Sequence, residues 1–172
     1  MYKRYFFEEI VKKFNKKHIR YLLIGRQALL FYGAPLFTYD YDFWIHPGDK
    51  DVVFDYLEDT LGMEASRDRA EKRPIFAFHS DSADKIDVFI VRKITNKEGE
   101  TLDIDECIGN AVEIRQPDSD FYVRLPSIDD LIKLKKMGKR PKDLEDIEYL
   151  ETIKKLREEK RGKGKGNILG KS

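Results

Sequence analysis

Three aspartates carry the chemistry that this sequence offers. Asp40 and Asp42 stand one residue apart in "GAPLFTYDYDFWI" (33–45), and Asp87 stands in "KIDVFIV" (85–91). The aromatic and β-branched residues around them favour strands, where aspartate is depleted and an unpaired buried carboxylate is costly. Strand alternation puts Asp40, Asp42 and Trp44 on one face and Tyr39, Tyr41, Phe43 and Ile45 on the other. In the later strand, Asp87 and Phe89 point away from Ile86, Val88 and Ile90. If the two strands are neighbours, Asp87 completes a three-carboxylate cluster. Carboxylates so crowded repel, and either one takes up a proton or a cation sits between them. Hard oxygen ligands suit Mg²⁺ or Mn²⁺. The bland alternative is a solvated edge carrying Asp40 and Asp42, with Asp87 alone on the surface; a single D-x-D does not separate the two.

The segment upstream adds a second chemistry. "HIRYLLIG" (18–25) reads as a short buried strand and "RQALLFYG" (26–33) as a helix ended by Gly33. A strand running through Gly25 into a helix start brings unpaired N–H groups to one point, which suits phosphate. Gly25 allows close backbone approach, and Arg26 and Gln27 can donate to phosphate oxygens. A phosphate cradle followed by a D-x-D is the layout for handling a Mg²⁺-bound nucleoside triphosphate.

The elements that must position these groups follow from periodicity. Phe6, Phe7, Ile10, Val11 and Phe14 mark an amphipathic opening helix. After the aspartate strand, "HPGDKDVVFDYLEDTLG" holds a turn and a helix with Val52, Val53, Tyr56, Leu57 and Leu61 as its apolar stripe. "RPIFAFH" and "DKIDVFIVRKI" predict a hairpin across "SDSAD", and "AVEIR" and "DFYVRLP" a second across "QPDS". From Ser127, a capping residue, the pattern turns helical, with a second, longer helix over "RPKDLEDIEYLETIKKLREEK" that starts near Pro141. The expected organisation is an α+β core over 1–126, a C-terminal helical segment of the same domain over 127–160, and a flexible basic tail over 161–172.

Composition bounds the partners. A chain of 172 residues with 41% hydrophobic residues can bury one sizeable core. Its net charge of +1 gives no global case for a long nucleic-acid footprint. The single Cys107 excludes an internal disulfide, and His18, His46 and His79 show no metal-ligand spacing. With 38% charged residues, rich in Lys and Glu, the composition points toward a thermophilic source. No apolar run spans a membrane and no signal pattern is present, so the expected location is the cytoplasm.

Taken in order, strand–Gly25–helix–Gly33–"TYDYD"–Asp87 resembles the nucleotidyltransferase superfamily. It is most similar there to the small AbiEii toxin-like nucleotidyltransferases, whose C-terminal pattern "LPSIDDLIKLKKMGKRPKDLEDIEYL" also resembles. The resemblance implies a small mixed sheet packed by helices, and transfer of a nucleoside monophosphate from a triphosphate to a hydroxyl. The acceptor would be a tRNA end, a protein or a small molecule, and toxin-like members imply an antitoxin partner. It further implies that Asp40, Asp42 and Asp87 hold Mg²⁺ or Mn²⁺ and are catalytic, and that Gly25, Arg26, Gln27 and Thr38 meet the nucleotide. Lys135 and Arg140 would contact phosphates; the bland reading puts them on solvated helix faces.

Two departures stand out. Arg26 replaces the small residue usual after the first glycine, and Leu36 replaces the usual arginine two residues before Thr38. Either Arg26 restores the missing charge, or its bulk blocks the phosphate and leaves a nucleotide- or partner-binding protein without turnover. A D-x-D glycosyltransferase is a third class, one that leaves Gly25 and Asp87 without a purpose.

Overall fold

A computed structural model of the chain describes residues 2–169, with side chains over 6–163. The chain runs α1 (Tyr2–Lys16), β1 (Tyr21–Ile24), α2 (Gly25–Phe31), β2 (Tyr41–Ile45) and α3 (Lys50–Phe54). It continues with β3 (Glu64–Ala65), β4 (Ile75–His79), β5 (Lys85–Ile90), β6 (Lys93–Thr95), β7 (Thr101–Asp103) and α4 (Ile104–Gly109). The hairpin β8 (Val112–Arg115) and β9 (Tyr122–Leu125) leads into α5 (Ile128–Gly138) and α6 (Pro141–Leu169). The architecture is α+β, as expected. Among the described residues, no helix is long and apolar enough to cross a membrane.

The main sheet has the order β1-β2-β5-β4-β3 and is mixed: β2 and β5 run parallel, and every other pair is antiparallel. Both predicted hairpins form, β4 with β5 and β8 with β9. Strand alternation sorts the core as the pattern requires. Phe43, Ile45, Ile86 and Val88 join α1 and α3 in one cluster. Leu22 and Trp44, on the opposite face, join Leu102, Ile104 and Cys107 in another. That second cluster covers part of the face that carries the aspartates. The face is roofed by α5 and by the β7–α4 segment, which has no strong periodic signal because each element is very short.

Other boundaries shift for local reasons. β2 begins at Tyr41 rather than Tyr39; on its β1 side the ladder ends at the Ile24–Asp42 pair, where β1 gives way to α2. The Thr38 hydroxyl instead accepts the Asp40 N–H (3.2 Å), which turns the chain before the strand. In the helix after His46, Phe54 is buried and Val52 is exposed, reversing the expected stripe at that turn. The helix continues past Phe54 in a wider, π-type turn over Asp55–Thr60. Ser127 caps α5 by accepting the Asp130 N–H (3.1 Å), but Asp130 does not complete the capping box. Its carboxylate accepts from Asn110 instead (3.3 Å). α6 reaches Leu169 rather than Lys160, so it includes most of the segment expected as a structureless tail; residues 170–172 lie outside the described ones.

Candidate active site

The register of β2 against β5 places Asp42 directly opposite Asp87. Parallel neighbours with side chains on the same face bring the two carboxylates together. Burial, the charges of Asp87 and Asp40 and a hydrogen bond with Asp87 push the Asp42 carboxyl up to about 6, while Lys135 opposes the shift. Asp42 therefore holds its proton to milder acidity than an ordinary carboxyl. Lys85 Nζ approaches Asp87 from the rim at 3.4 Å.

Gly25 completes the polar end. Its φ of +72° is left-handed, and a Cβ there would collide with Asp42 Oδ2. Glycine is needed on both counts. The start of α2 is thereby pressed against Asp42.

The other wall comes from the α5–α6 corner. Lys135, buried, lies 2.7 Å from Asp146 Oδ2 and 3.8 Å from Asp143 Oδ1. Arg140 binds Asp143 through Nε and through its own backbone N–H, both at 3.0 Å. Burial disfavours the Asp143 charge, yet the hydrogen bonds from Arg140 outweigh it and hold the carboxyl below its usual range. Asp143 and Asp146 thus do more than complement the helix dipole: they are buried and carry the cations that face the sheet. Their i, i+3 spacing together with buried Leu150 is the periodic signal that marks them as inward-facing.

A cleft of about 690 Å³ lies between these walls, lined by Gly25, Asp42, Asp87, Lys135, Arg140 and Asp143 in its polar part. Of the nine residues singled out from sequence, five line it. Gly25, Asp42, Asp87, Lys135 and Arg140 meet there. Asp40 stays exposed at the start of β2 and acts on Asp42 only through its charge. Among the described residues, no group of three or more His, Cys, Asp or Glu is gathered closely enough to hold a metal ion. Thr38 shapes the turn that carries Asp40, and Gln27 is buried with its amide donating to the Thr38 carbonyl (3.3 Å). Arg26 points to α6, with Nη2 at 3.2 Å from Asp146 Oδ1 and 3.6 Å from Glu145 Oε2. It neither reaches into the cleft lining nor plugs it. Leu36 packs against the main core.

A second cavity of about 430 Å³ lies on the other side of the sheet, among Phe7, Phe31, Tyr41, Ile114 and Phe121. It contains no paired carboxylates.

No protein-family model and no curated protein matches the sequence. Solved structures do match the fold. The lincosamide antibiotic adenylyltransferase LnuA, bound to lincomycin, superposes with a TM-score of 0.62 at 16% identity, over 84% of this chain and 94% of that one. A protein from Thermotoga maritima assigned as a nucleotidyltransferase gives 0.58 at 12% identity, over 88% and 89%. ANT(2")-Ia, in complex with adenylyl-2"-tobramycin, gives 0.57 at 15% identity, over 95% and 99%. At these identities the likeness is one of fold, and the fold is nucleotidyltransferase-like.

Proposed function

We propose that the protein is a metal-dependent nucleotidyltransferase that moves a nucleoside monophosphate from a triphosphate to a hydroxyl acceptor. The observation that carries this reading is the Asp42–Asp87 pair, crowded across the β2–β5 register beneath Gly25 and opposite Lys135 and Arg140. The donor set fits Mg²⁺ or Mn²⁺: two hard, anionic ligands repel in the free protein and would both ionise around a divalent ion. Asp42 and Asp87 would hold it, with Asp40 brought in by the bound nucleotide. When bound, the ion neutralises phosphate charge and eases ionisation of the attacking hydroxyl.

The chain supplies the rest. Gly25 leaves room for phosphate oxygens beside Asp42, and Lys135 and Arg140 add positive charge from the opposite wall. Asp87 takes the acceptor proton as the hydroxyl oxygen bonds to the α-phosphorus; the bond to the bridging oxygen breaks and pyrophosphate leaves. Positioning and charge neutralisation do most of the work.

The named neighbours, one bound to lincomycin and one to an adenylylated tobramycin, favour a small hydroxylated acceptor over a tRNA end or a protein. A place in the AbiEii toxin-like group, with an antitoxin partner, draws support only from the residue pattern of 125–150. A nucleotide-binding protein without turnover is the second reading, favoured by the exposed position of Asp40. Turnover of labelled triphosphate to pyrophosphate, with and without Mg²⁺, separates the two. Metal-dependent turnover supports the enzyme; metal-dependent binding without turnover supports the binder.

A further inference from the structure

The sheet face that carries Asp42 and Asp87 continues into an apolar row. Trp44 and Phe89 stand two residues further on, paired with each other, and Ile75 of β4 pairs with Phe89. At roughly 3.3 Å per residue, this row lies about 7 Å from the carboxylates. Its two ends differ. Trp44 is sealed by Leu22, Leu102 and Ile104, whereas Ile75 is 55% exposed. Ile94 and Met137 line the cleft beside Phe89. Folding has left apolar surface open inside a cleft whose other half is polar.

Strand order decides what this wall faces. Gly25 follows β1, on one side of the carboxylate pair, and Ile75 belongs to β4, on the other. In-line displacement puts the entering and leaving oxygens on opposite sides of the phosphorus. With phosphates on the Gly25 side, the body of the acceptor falls on the Ile75 side. Charge narrows its nature. The lining holds the cations Lys85, Lys135 and Arg140, and of its carboxylates Asp143 is already clamped by Arg140. Only the Asp42–Asp87 pair remains, and it is committed to the metal. A polycationic acceptor would meet cations with no carboxylate left to pair with.

We propose that Ile75, Phe89, Ile94 and Met137 form the acceptor subsite, and that the acceptor is a small alcohol with an uncharged, apolar body. This inference rests on the nucleotidyl-transfer reading, and its test keeps the two apart. The full chain, labelled at isoleucine and methionine methyls, is titrated with 3-phenyl-1-propanol in the presence of Mg²⁺ and a non-hydrolysable nucleoside triphosphate. The expected result is saturable shifts at Ile75, Ile94 and Met137. Ile75→Asp, at a position already half in water, should weaken the probe at least tenfold and leave nucleotide affinity within twofold. Shifts confined to Ile114, in the second cavity, would overturn the proposal. So would nucleotide alone saturating the Ile75 and Ile94 shifts, which would give the wall to the base, or a triamine alcohol binding as well as the probe. Failure of the wild type to bind nucleotide would overturn the transfer reading instead; probe shifts at Ile75 and Ile94 would still hold the subsite for an apolar alcohol.

Discussion

Two pairs of aspartates flank one cleft under opposite conditions. On α6, Asp143 and Asp146 are buried and surrounded by Arg26, Lys135 and Arg140. On the sheet, Asp42 and Asp87 are less buried; among the described residues Lys85 is the one cation within ion-pair distance, and Lys135 acts on Asp42 from farther away. The first pair is neutralised from within the chain, which depresses the Asp143 carboxyl; in the second, burial and then the crowding of Asp87 and Asp40 raise Asp42. A carboxylate pair neutralised by ion pairs within the chain builds the wall that displays cations. A pair left unsatisfied keeps its affinity for a cation from outside.

Removing a partner from each pair should expose that difference. Asp146→Ala takes the nearer carboxylate from both Lys135 and Arg26, leaving them Asp143 and Glu145 at longer range, and should cost about 3–5 kcal/mol in urea unfolding, the usual loss when one member of a buried ion pair is deleted. A loss below about 1 kcal/mol would mean that the α6 pair is not a neutralised core.

On the sheet the same kind of deletion should act on chemistry. Asp87→Asn should lower turnover at least about a hundredfold, the scale of one lost electrostatic contact to a transition state, with the fold intact. Turnover within a few-fold of wild type would remove Asp87 from the reaction.

Stability should move the other way. A carboxyl raised to about 6 from 3.8 binds its proton more tightly in the folded state. The stabilisation it gives is complete below about pH 4 and is lost as pH rises through about 6. At neutral pH the ionised Asp42 therefore strains the metal-free fold, and Asp42→Asn should stabilise it by about 1–3 kcal/mol. The gain should vanish near pH 4. A destabilised variant at neutral pH would instead make Asp42 a structural hydrogen-bonding residue.

Arg26 gives the smallest expected effect. Because it pairs with Asp146, Arg26→Ala should cost about 1–2 kcal/mol of stability, less than deletion of Asp146 because Lys135 remains. Nucleotide affinity should stay within threefold. A tenfold loss of affinity at unchanged stability would return Arg26 to the phosphate.

Local rules carried the sequence reading as far as single elements. Alternation separated Asp42 and Trp44 from Phe43 and Ile45, and Gly25 declared a backbone position that a side chain could not occupy. Nothing local states which residue of β5 faces Asp42, since parallel register is set by packing between distant segments. Hence Asp87 could be nominated but Asp40 could not be told apart from Asp42. The ion-pair partner of Arg26 was hidden for the same reason: Asp146 lies on α6, far along the chain. Residues 95–109 were given no element, and Lys93 and Ile94 were read as part of the preceding strand, because β6, β7 and α4 are too short for periodicity to show.

A sheet pair that needs an external cation makes nucleotide binding depend on the metal. Nucleotide affinity should be measured by titration with and without Mg²⁺, in the wild type and in Asp42→Asn. The account predicts binding at least tenfold tighter with Mg²⁺ in the wild type and little metal dependence in the variant. Equal affinity with and without metal in the wild type would contradict it.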